Sequence, residues 1–380
     1  MSNLMKIPLS RPDITGVEQR AVLDVLESPF LSLGPKVGEF ERALARYAGV
    51  KHAVAVNSGT SGLQLIVRAL GIGDGDEVIT TPFSFIASAN CIVLERASPV
   101  FVDIDPDTYN VDVNLIERAI TSRTKAILAV DVFGYCADWT RIEAFARARG
   151  LAVIEDSCEA IGAELDGRKA GSFGDAGCFG FYPNKQMTTG EGGMILTNRE
   201  DLAATCRSLR NQGRRETTSW LDHADVGHNY RISDINCALG LAQLSRLDEM
   251  LAKRVAVAKY YHQQLSHLGG IILPPRPSEG IGSWFVYVIR LADRFSLDDR
   301  DRVLVGLREA GIGCSNYFPP IHLQPYYVKH YGYRIGMFPE TERISERTIA
   351  LPFFNALTPS QVDEVVDCLR VQLKRVEESR

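Results

Sequence analysis

The sequence predicts an α/β protein built on a mostly parallel sheet, followed by a smaller α/β unit. Three observations carry that prediction. Over the first 250 residues, short β-rich runs alternate with amphipathic stretches, the order that lays strands side by side with helices as crossovers. A charged amphipathic segment, Ile235 to Leu268, then runs without proline and with one glycine, Gly240. Beyond breaks at Pro274, Pro275 and Pro277 a second, shorter α/β pattern begins.

Residues 1–15 read as an N-terminal arm, and apolar spacing at helical period then gives helices at Gly16–Leu26 and Gly38–Ala48. A short apolar run makes His52–Val56 a strand, followed by a helix at Ser61–Leu70 and a strand at Glu77–Thr80. The same alternation gives helix Ser84–Leu94, strand Pro99–Asp103, helix Val113–Ala119, strand Ala126–Val130, helix Thr140–Arg149 and strand Ala152–Glu155. Two more strands, Ala176–Phe181 and Gly193–Thr197, flank a glycine-rich turn. Ile235–Leu268 forms one or two helices bridging the parts. After it come a strand over Trp284–Leu291, a helix near Leu297–Ala310 and a Pro- and Tyr-rich loop from Tyr317 to Tyr333. Thr358-Pro359 opens the last helix, because proline suits the first helical position. The expected division is a large domain over 1–250 and a small C-terminal domain over 251–380.

Composition narrows the function. Of 380 residues, 45% are hydrophobic and 23% charged, so a sizeable core is available and the chain is neither fibrous nor disordered. Forty-two Lys and Arg against 47 Asp and Glu leave a net charge of −5, which removes the basic footprint of a nucleic-acid binder. The start has no apolar stretch of signal-peptide length, and the longest uncharged run, Val78 to Leu94, is too polar for a membrane span. Eight scattered cysteines lack a C-x-x-C pair, and seven histidines lack metal-ligand spacing, so free thiols in a reducing cytoplasm and no structural zinc are expected.

Three segments carry candidate chemistry. Leu151-Ala-Val-Ile-Glu-Asp-Ser157 is an apolar run ending in two carboxylates; strand ends are where α/β sheets hold ligands, and the alternative is that the acids cap the next helix. Gly177-Cys-Phe-Gly-Phe-Tyr-Pro-Asn-Lys-Gln-Met-Thr-Thr-Gly-Glu-Gly-Gly193 sets Lys185 alone in uncharged sequence from Ala176 to Gly190. Desolvating a lysine favours the neutral amine that Schiff-base chemistry needs, whereas a surface-turn lysine is the bland alternative. Val56-Asn-Ser-Gly-Thr-Ser-Gly-Leu63 is a strand, a hydroxyl-rich turn and a helix start, either a phosphate cradle or an ordinary N-cap. Together a phosphate cradle, a strand-end acid and a desolvated lysine are the parts a pyridoxal 5′-phosphate enzyme needs. Phe85, in the turn Thr81-Pro-Phe-Ser-Phe-Ile-Ala87, is an aromatic that either covers the cofactor ring or belongs to the core, composition favouring the core.

The runs Ser-Gly-Thr-Ser-Gly-Leu, Thr-Pro-Phe-Ser-Phe-Ile-Ala-Ser, Glu-Asp-Ser-Cys-Glu-Ala-Ile-Gly-Ala, Gly-Ser-Phe-Gly-Asp-Ala-Gly-Cys-Phe, Asn-Lys-Gln-Met-Thr-Thr-Gly-Glu-Gly-Gly and Asn-Tyr-Arg-Ile-Ser-Asp-Ile resemble the DegT/DnrJ/StrS-type nucleotide-sugar aminotransferases. The likeness keeps the family's order through Tyr317-Phe-Pro-Pro-Ile-His322. It implies an aspartate aminotransferase-like fold (fold type I) and a homodimer with shared active sites. It also implies pyridoxal phosphate as cofactor, with pyridoxamine phosphate as its intermediate form. By position, Lys185 would be the Schiff-base lysine and Asp156 the partner of the pyridine nitrogen. Gly59 and Thr60 would take the phosphate, Phe85 would stack on the ring, and Asn229 would reach the phosphate from the neighbouring subunit.

Two departures stand out. The family often has Gln where this chain has Glu159, facing the cofactor's hydroxyl side, and a phosphate-binding Ser where it has Gly180. The reaction implied is amino transfer, with L-glutamate as expected donor, to a keto group on a nucleotide-linked deoxysugar. Arg214, in the basic run Arg207–Arg215, is a candidate for the sugar nucleotide's pyrophosphate, or part of a solvated loop. Arg231 is a substrate-anion candidate or a partner of Asp234; Tyr317 and His322, in the Pro- and Tyr-rich loop, are substrate candidates, with packing as the alternative for His322. The rivals are a sugar dehydratase of the same fold, whose relatives carry His at the lysine position, an aminotransferase for a non-nucleotide cyclic ketone, and a non-catalytic regulator.

Overall fold

A computed structural model describes residues 5–215, 219, 222–274 and 280–379. Pro275 and Pro277, and residues 1–4 of the expected arm, lie outside the described residues. Helix α1 (Gly16–Leu26) opens on a capping box in which Thr15 and Glu18 satisfy each other's end of the first turn. Helix α2 (Pro35–Ala48) starts three residues before the spacing suggested. Pro35 presets its first turn, and Asp234 accepts from Gly34 N and Lys36 N at 2.7 and 2.8 Å.

The chain continues through β1 (His52–Val56), α3 (Gly59–Ala69), β2 (Glu77–Thr80), α4 (Ala87–Leu94), β3 (Ser98–Phe101), α5 (Val113–Ala119) and β4 (Thr124–Val130). Next come α6 (Trp139–Arg149), β5 (Ala152–Asp156), a small hairpin of β6 (Glu164–Leu165) and β7 (Arg168–Lys169), then β8 (Ala176–Gly180) and β9 (Gly193–Thr197). Helix α7 (Glu200–Arg210) was not foreseen: its last turn holds Arg207 and Arg210, so half of the expected basic loop is helical. Arg210 turns inward and pairs with Glu41 and the Ala55 carbonyl. The bridging segment is two helices, α8 (Asp234–Ser245) and α9 (Leu247–Leu265).

The remainder comprises β10 (Ile271–Ile272), β11 (Tyr287–Leu291), α10 (Leu297–Glu309), α11 (Pro325–Tyr331), α12 (Pro339–Ser345), β12 (Thr348–Leu351) and α13 (Pro359–Glu378). Helix α11 lies inside the expected Pro- and Tyr-rich loop, started by Pro325 and stopped at Gly332, whose φ of 70° is left-handed.

Seven strands form the main sheet in the order β1-β9-β8-β5-β4-β2-β3. All pairings are parallel except those of β9, which runs against both β1 and β8. Reversing twice leaves β1 pointing the same way as β8, so the carboxyl ends of β1, β2, β4, β5 and β8 share one edge. Strands β8 and β9 are buried on both faces, as a sheet covered by helices on each side requires. One covering core packs Leu65, Val67 and Cys206 from α3 and α7; the other packs Phe40 and Leu44 from α2 against Phe179 and Met194. A separate three-stranded antiparallel sheet, β10-β11-β12, carries its own core with α10 and α13. Helix α9 spans the expected division at 250/251. Its Leu247 and Met250 pack beneath the main sheet, while Val257, Ala258 and Tyr261 pack in the second core.

All eight cysteines are free thiols. No helix among the described residues is long and apolar enough to cross a membrane.

Candidate active site

The shared carboxyl edge gathers the three segments singled out from the sequence. Strand β1 ends into Asn57–Thr60, β2 into the Thr81–Ile86 turn, β5 at Asp156, and β8 into the loop that carries Lys185. Register ties them together, since Asp156 lies opposite Val130 on β4 and Cys178 on β8.

Glu155 and Asp156 are neighbours on one strand, so their side chains leave opposite faces of the sheet. Asp156 accepts from Ser88 Oγ at 2.6 Å and from Cys158 N at 3.2 Å, and Ser88 in turn meets Ser84 Oγ at 2.8 Å. Glu155 accepts from Ser157 Oγ at 2.6 Å, Gly171 N at 2.6 Å and Phe173 N at 2.8 Å. The sequence left these acids as possible helix caps. No helix follows them directly; the chain runs on through turns into the β6–β7 hairpin.

Lys185 is largely withdrawn from solvent, its side chain 13% exposed. Its Nζ lies 3.7 Å from Glu159 Oε1 and 3.8 Å from the centre of the Phe285 ring. The surface-turn reading of this lysine therefore fails. Glu159 also accepts from Phe133 N at 3.1 Å; burial pushes its carboxyl above the usual range, with the Lys185 charge pulling the other way. Tyr317 comes to the same place. Burial, then the nearby Glu159 charge, raises its phenol, while a hydrogen bond with Asn184 opposes them; its ring stacks on Phe318 and, at 6.5 Å, on Phe285.

The phosphate-cradle segment opens α3, with Ser58 as N-cap accepting from Ser61 N at 3.0 Å. Gly59 is required by close packing: a Cβ there would stand 2.7 Å from Cys158 Sγ and 3.3 Å from Gly180 Cα. The same contact accounts for Gly180, where a Cβ would come within 3.3 Å of Cys158 Cβ. Cys158 thus occupies room that a residue-180 side chain would need. The Asn57 and Asn184 side-chain oxygens are buried nearby without hydrogen-bond partners. A helix start with free N–H groups, a strand-end carboxylate and an amine with two light contacts suit a phosphorylated, nitrogen-bearing ring. The residues present fit pyridoxal phosphate.

Phe85 is 59% exposed, whereas Phe83 two residues earlier is buried among Tyr109, Phe133 and Phe318. The core reading belongs to Phe83, and Phe85 is free to stack. Thr60 is partly exposed at the helix start. Asn229 is exposed, its backbone bridged to Asn211.

Other expectations are corrected. Arg231 does not pair with Asp234, which is taken up by α2; it donates to Asn211 Oδ1 at 3.0 Å. Arg214 is half-buried just past α7. His322 is buried completely, its Nε2 3.0 Å from Glu342 Oε1 and its ring against Phe338 and Tyr333, and burial pulls its pKa down. It packs rather than facing an open pocket.

Sequence reasoning missed Ser88, Phe285 and Arg254. The hydroxyls at 84 and 88, one helical turn apart in an apolar run, were a readable signal for the first. Phe285 lies 100 positions from Lys185 and Arg254 in a charge-rich helix, and neither carries a local signal.

Comparison with known proteins gives a consistent result. The model of the DegT/DnrJ/EryC1/StrS aminotransferase family matches residues 12–370. GDP-perosamine synthase from Caulobacter vibrioides is 41% identical over 375 residues, covering 97% of this chain and 99% of that protein. The spore coat polysaccharide biosynthesis protein SpsC from Bacillus subtilis is 39% identical over 374 residues, 96% of each chain. Among solved structures, the putative sugar aminotransferase Spr1654 from Streptococcus pneumoniae in its PMP form superposes with a TM-score of 0.92 at 29% identity, covering 98% of this chain and 100% of that one.

Proposed function

The chain belongs to the DegT/DnrJ/EryC1/StrS aminotransferase family, and from that premise we propose that it moves an amino group from L-glutamate to a keto group of a nucleotide-linked deoxysugar, in two half-reactions. It is a pyridoxal phosphate-dependent sugar aminotransferase. The observation that carries the amino-transfer chemistry is the setting of Lys185: a desolvated amine, lightly held by Glu159 and Phe285, on the sheet edge that also presents Asp156.

Pyridoxal phosphate, when bound, supplies an aldehyde that captures amines and a ring that accepts the electrons of a broken C–H bond. Lys185 would hold it covalently, Asp156 would face the ring nitrogen, and Gly59, Thr60 and the start of α3 would take the phosphate. Phe85 would cover a ring face and Glu159 the phenol side. The work of the protein is then positional. Lys185 Nζ moves the proton that leaves the donor's α-carbon, and later the proton at the sugar carbon that receives nitrogen. A base so placed contributes about 10²–10⁴-fold. Asp156 is itself fixed by Ser88, so its charge is aimed without reorganisation. Lysine at 185 speaks against the dehydratase reading.

We place the active form as a homodimer in the cytoplasm, with Asn229 of one copy completing the phosphate site of the other. Exposed Asn229 and the exposed apolar run Phe30, Leu31 and Leu33 support the shared interface.

Absorbance tests the reading. With pyridoxal phosphate bound, a band near about 420 nm should move to about 330 nm on adding L-glutamate, the change expected of this cofactor class. Lys185→Ala should show neither band shift nor turnover. A variant that still turns over would end the Lys185 assignment, and sugar nucleotides that never discharge the aminated form would end the substrate assignment.

A further inference from the structure

Arg254 sits in the middle of α9 and is 3% exposed. Its guanidinium has no carboxylate within ion-pairing distance among the described residues. Its partners are three carbonyl oxygens: Nη1 donates to Trp284 O at 3.2 Å and Phe285 O at 3.1 Å, and Nη2 donates to Lys185 O at 3.0 Å. Nε is buried without a partner, and the Phe353 ring lies 5.5 Å away. Burial pulls this guanidinium down to about 10, with Asp13 acting weakly the other way. A buried cation with no counter-charge is costly, and an apolar side chain of similar size would avoid that cost. An apolar side chain would not hold three carbonyls at once.

Those carbonyls belong to segments far apart in sequence. One is the peptide of Lys185, on the loop between β8 and β9; the others lead into β11 of the second sheet. Phe285, held by its carbonyl, lays its ring against Lys185 Nζ. Gln186 reinforces the junction, donating to Ser283 Oγ at 2.7 Å and to Glu159 O at 2.6 Å. One planar guanidinium therefore fixes both the backbone from which the lysine projects and the aromatic wall on which its amine rests. The fork geometry matters, because an ammonium group is a single point charge.

We propose that Arg254 is a positioning residue for Lys185, setting where its amine stands relative to Glu159 and Phe285. The inference rests on the reading of Lys185 as the reactive amine. It assigns Arg254 no contact with substrate.

The test uses the holoenzyme and three variants, Arg254→Ala, Arg254→Lys and Arg254→Gln. In Arg254→Ala, the limiting rate of the half-reaction with saturating L-glutamate (the donor-side kcat, read as the loss of the aldimine absorbance) should fall about 100-fold, the scale of an approximately 1 Å misplacement. KM should change less than about threefold, because binding contacts are untouched. The rate at which added pyridoxal phosphate is captured on Lys185, read by borohydride reduction and peptide mass, should fall in parallel. Free guanidinium ion, below denaturing concentration, should restore part of both losses in Arg254→Ala and nothing in wild type. Arg254→Lys should fold and remain slow. Should Arg254→Ala not fold, Arg254→Lys and Arg254→Gln carry the same expectation.

Any folded variant that keeps kcat and capture rate within about twofold of wild type overturns the proposal, as such a change is too small for a displaced base. So does a loss that follows thermal unfolding alone and ignores guanidinium. Lys185→Ala separates the two readings. If it still turns over, the function proposed above fails; if it is inactive while Arg254 variants are normal, only the present inference falls.

Discussion

Two clusters of buried acid stand back to back at the end of β5, and their surroundings could hardly differ more. On one face, Glu155 and Asp131 are saturated by the protein. Glu155 takes Gly171 N and Phe173 N; Asp131 takes Ala137 N and Trp139 Nε1, each at 2.8 Å; Ser157 Oγ bridges both acids. On the other face, Asp156 has one hydroxyl and one backbone donor, and Glu159 has one backbone donor and a lysine. An acid whose lone pairs are filled by backbone N–H groups is holding loops in place. An acid left with spare capacity beside a reactive amine is available to a ligand. The comparison teaches that the carboxylates of one short run divide by their partners, and adjacency in sequence says nothing about which does which.

The sharpest way to break that division is to neutralise each member in turn. Asp156→Asn keeps the shape: its oxygen can still accept from Cys158 N, and its amide can donate to Ser88 Oγ, whose own hydrogen turns to Ser84. Stability should move by less than about 1 kcal/mol. Turnover with L-glutamate should fall roughly 10²–10³-fold, the scale of removing one preorganised electrostatic partner. Denaturant melts and steady-state rates on one preparation decide it; a variant that loses stability and keeps its rate would reverse the roles assigned to the two faces.

Glu155→Ala should do the opposite. It strands Gly171 N and Phe173 N in a dry interior, at a cost of about 3 kcal/mol. The folded protein should still bind pyridoxal phosphate and turn over within about threefold of wild type, since no binding contact is lost. A large fall in kcat without a fall in the unfolding midpoint would show that Glu155 serves the site.

Much of this was legible from residues alone, and the limits are physical. Lys185 stood out because a run of fifteen residues whose single charge is a lysine is costly unless the amine is used. Asp156 stood out because an apolar strand stops there. What sequence could not separate was Asp156 from Glu155, since the face each takes is set by the sheet's cover. Arg254 was hidden for a related reason. In a helix carrying Asp248, Glu249, Lys253 and Lys259, one more cation reads as solvated, and its burial is decided only by the junction of two sheets. Helix α7 was lost beneath its own basic charge, and the antiparallel direction of β9 is invisible in a strand that looks like its neighbours. His322 misled because a polar residue in an aromatic loop looks like a ligand contact until Glu342 and Phe338 enclose it.

The finest test lies within the structural pair itself. Burial raises the Asp131 carboxyl from 3.8 to about 6, and burial together with the Asp131 charge pushes Glu155 well above its usual range. The native state therefore keeps a proton that the unfolded chain releases. With a raised native pKa, the stabilisation is fully present below the unfolded value and is lost as pH climbs from about 4 through about 6, an effect on the order of 2 kcal/mol. Asp131→Asn removes the second acid without disturbing the bonds. Its oxygen accepts from Ala137 N and Trp139 Nε1, its amide donates to Ser157 Oγ, and Ser157 donates to Glu155. The variant's margin over wild type should be smaller at pH 5, where part of the loss has already occurred, than at pH 8, where it is complete, as read from urea midpoints at the two values. An equal difference between the proteins at both pH values would mean that the pair shares no proton. The proton held between Asp131 and Glu155 would then have to be given up.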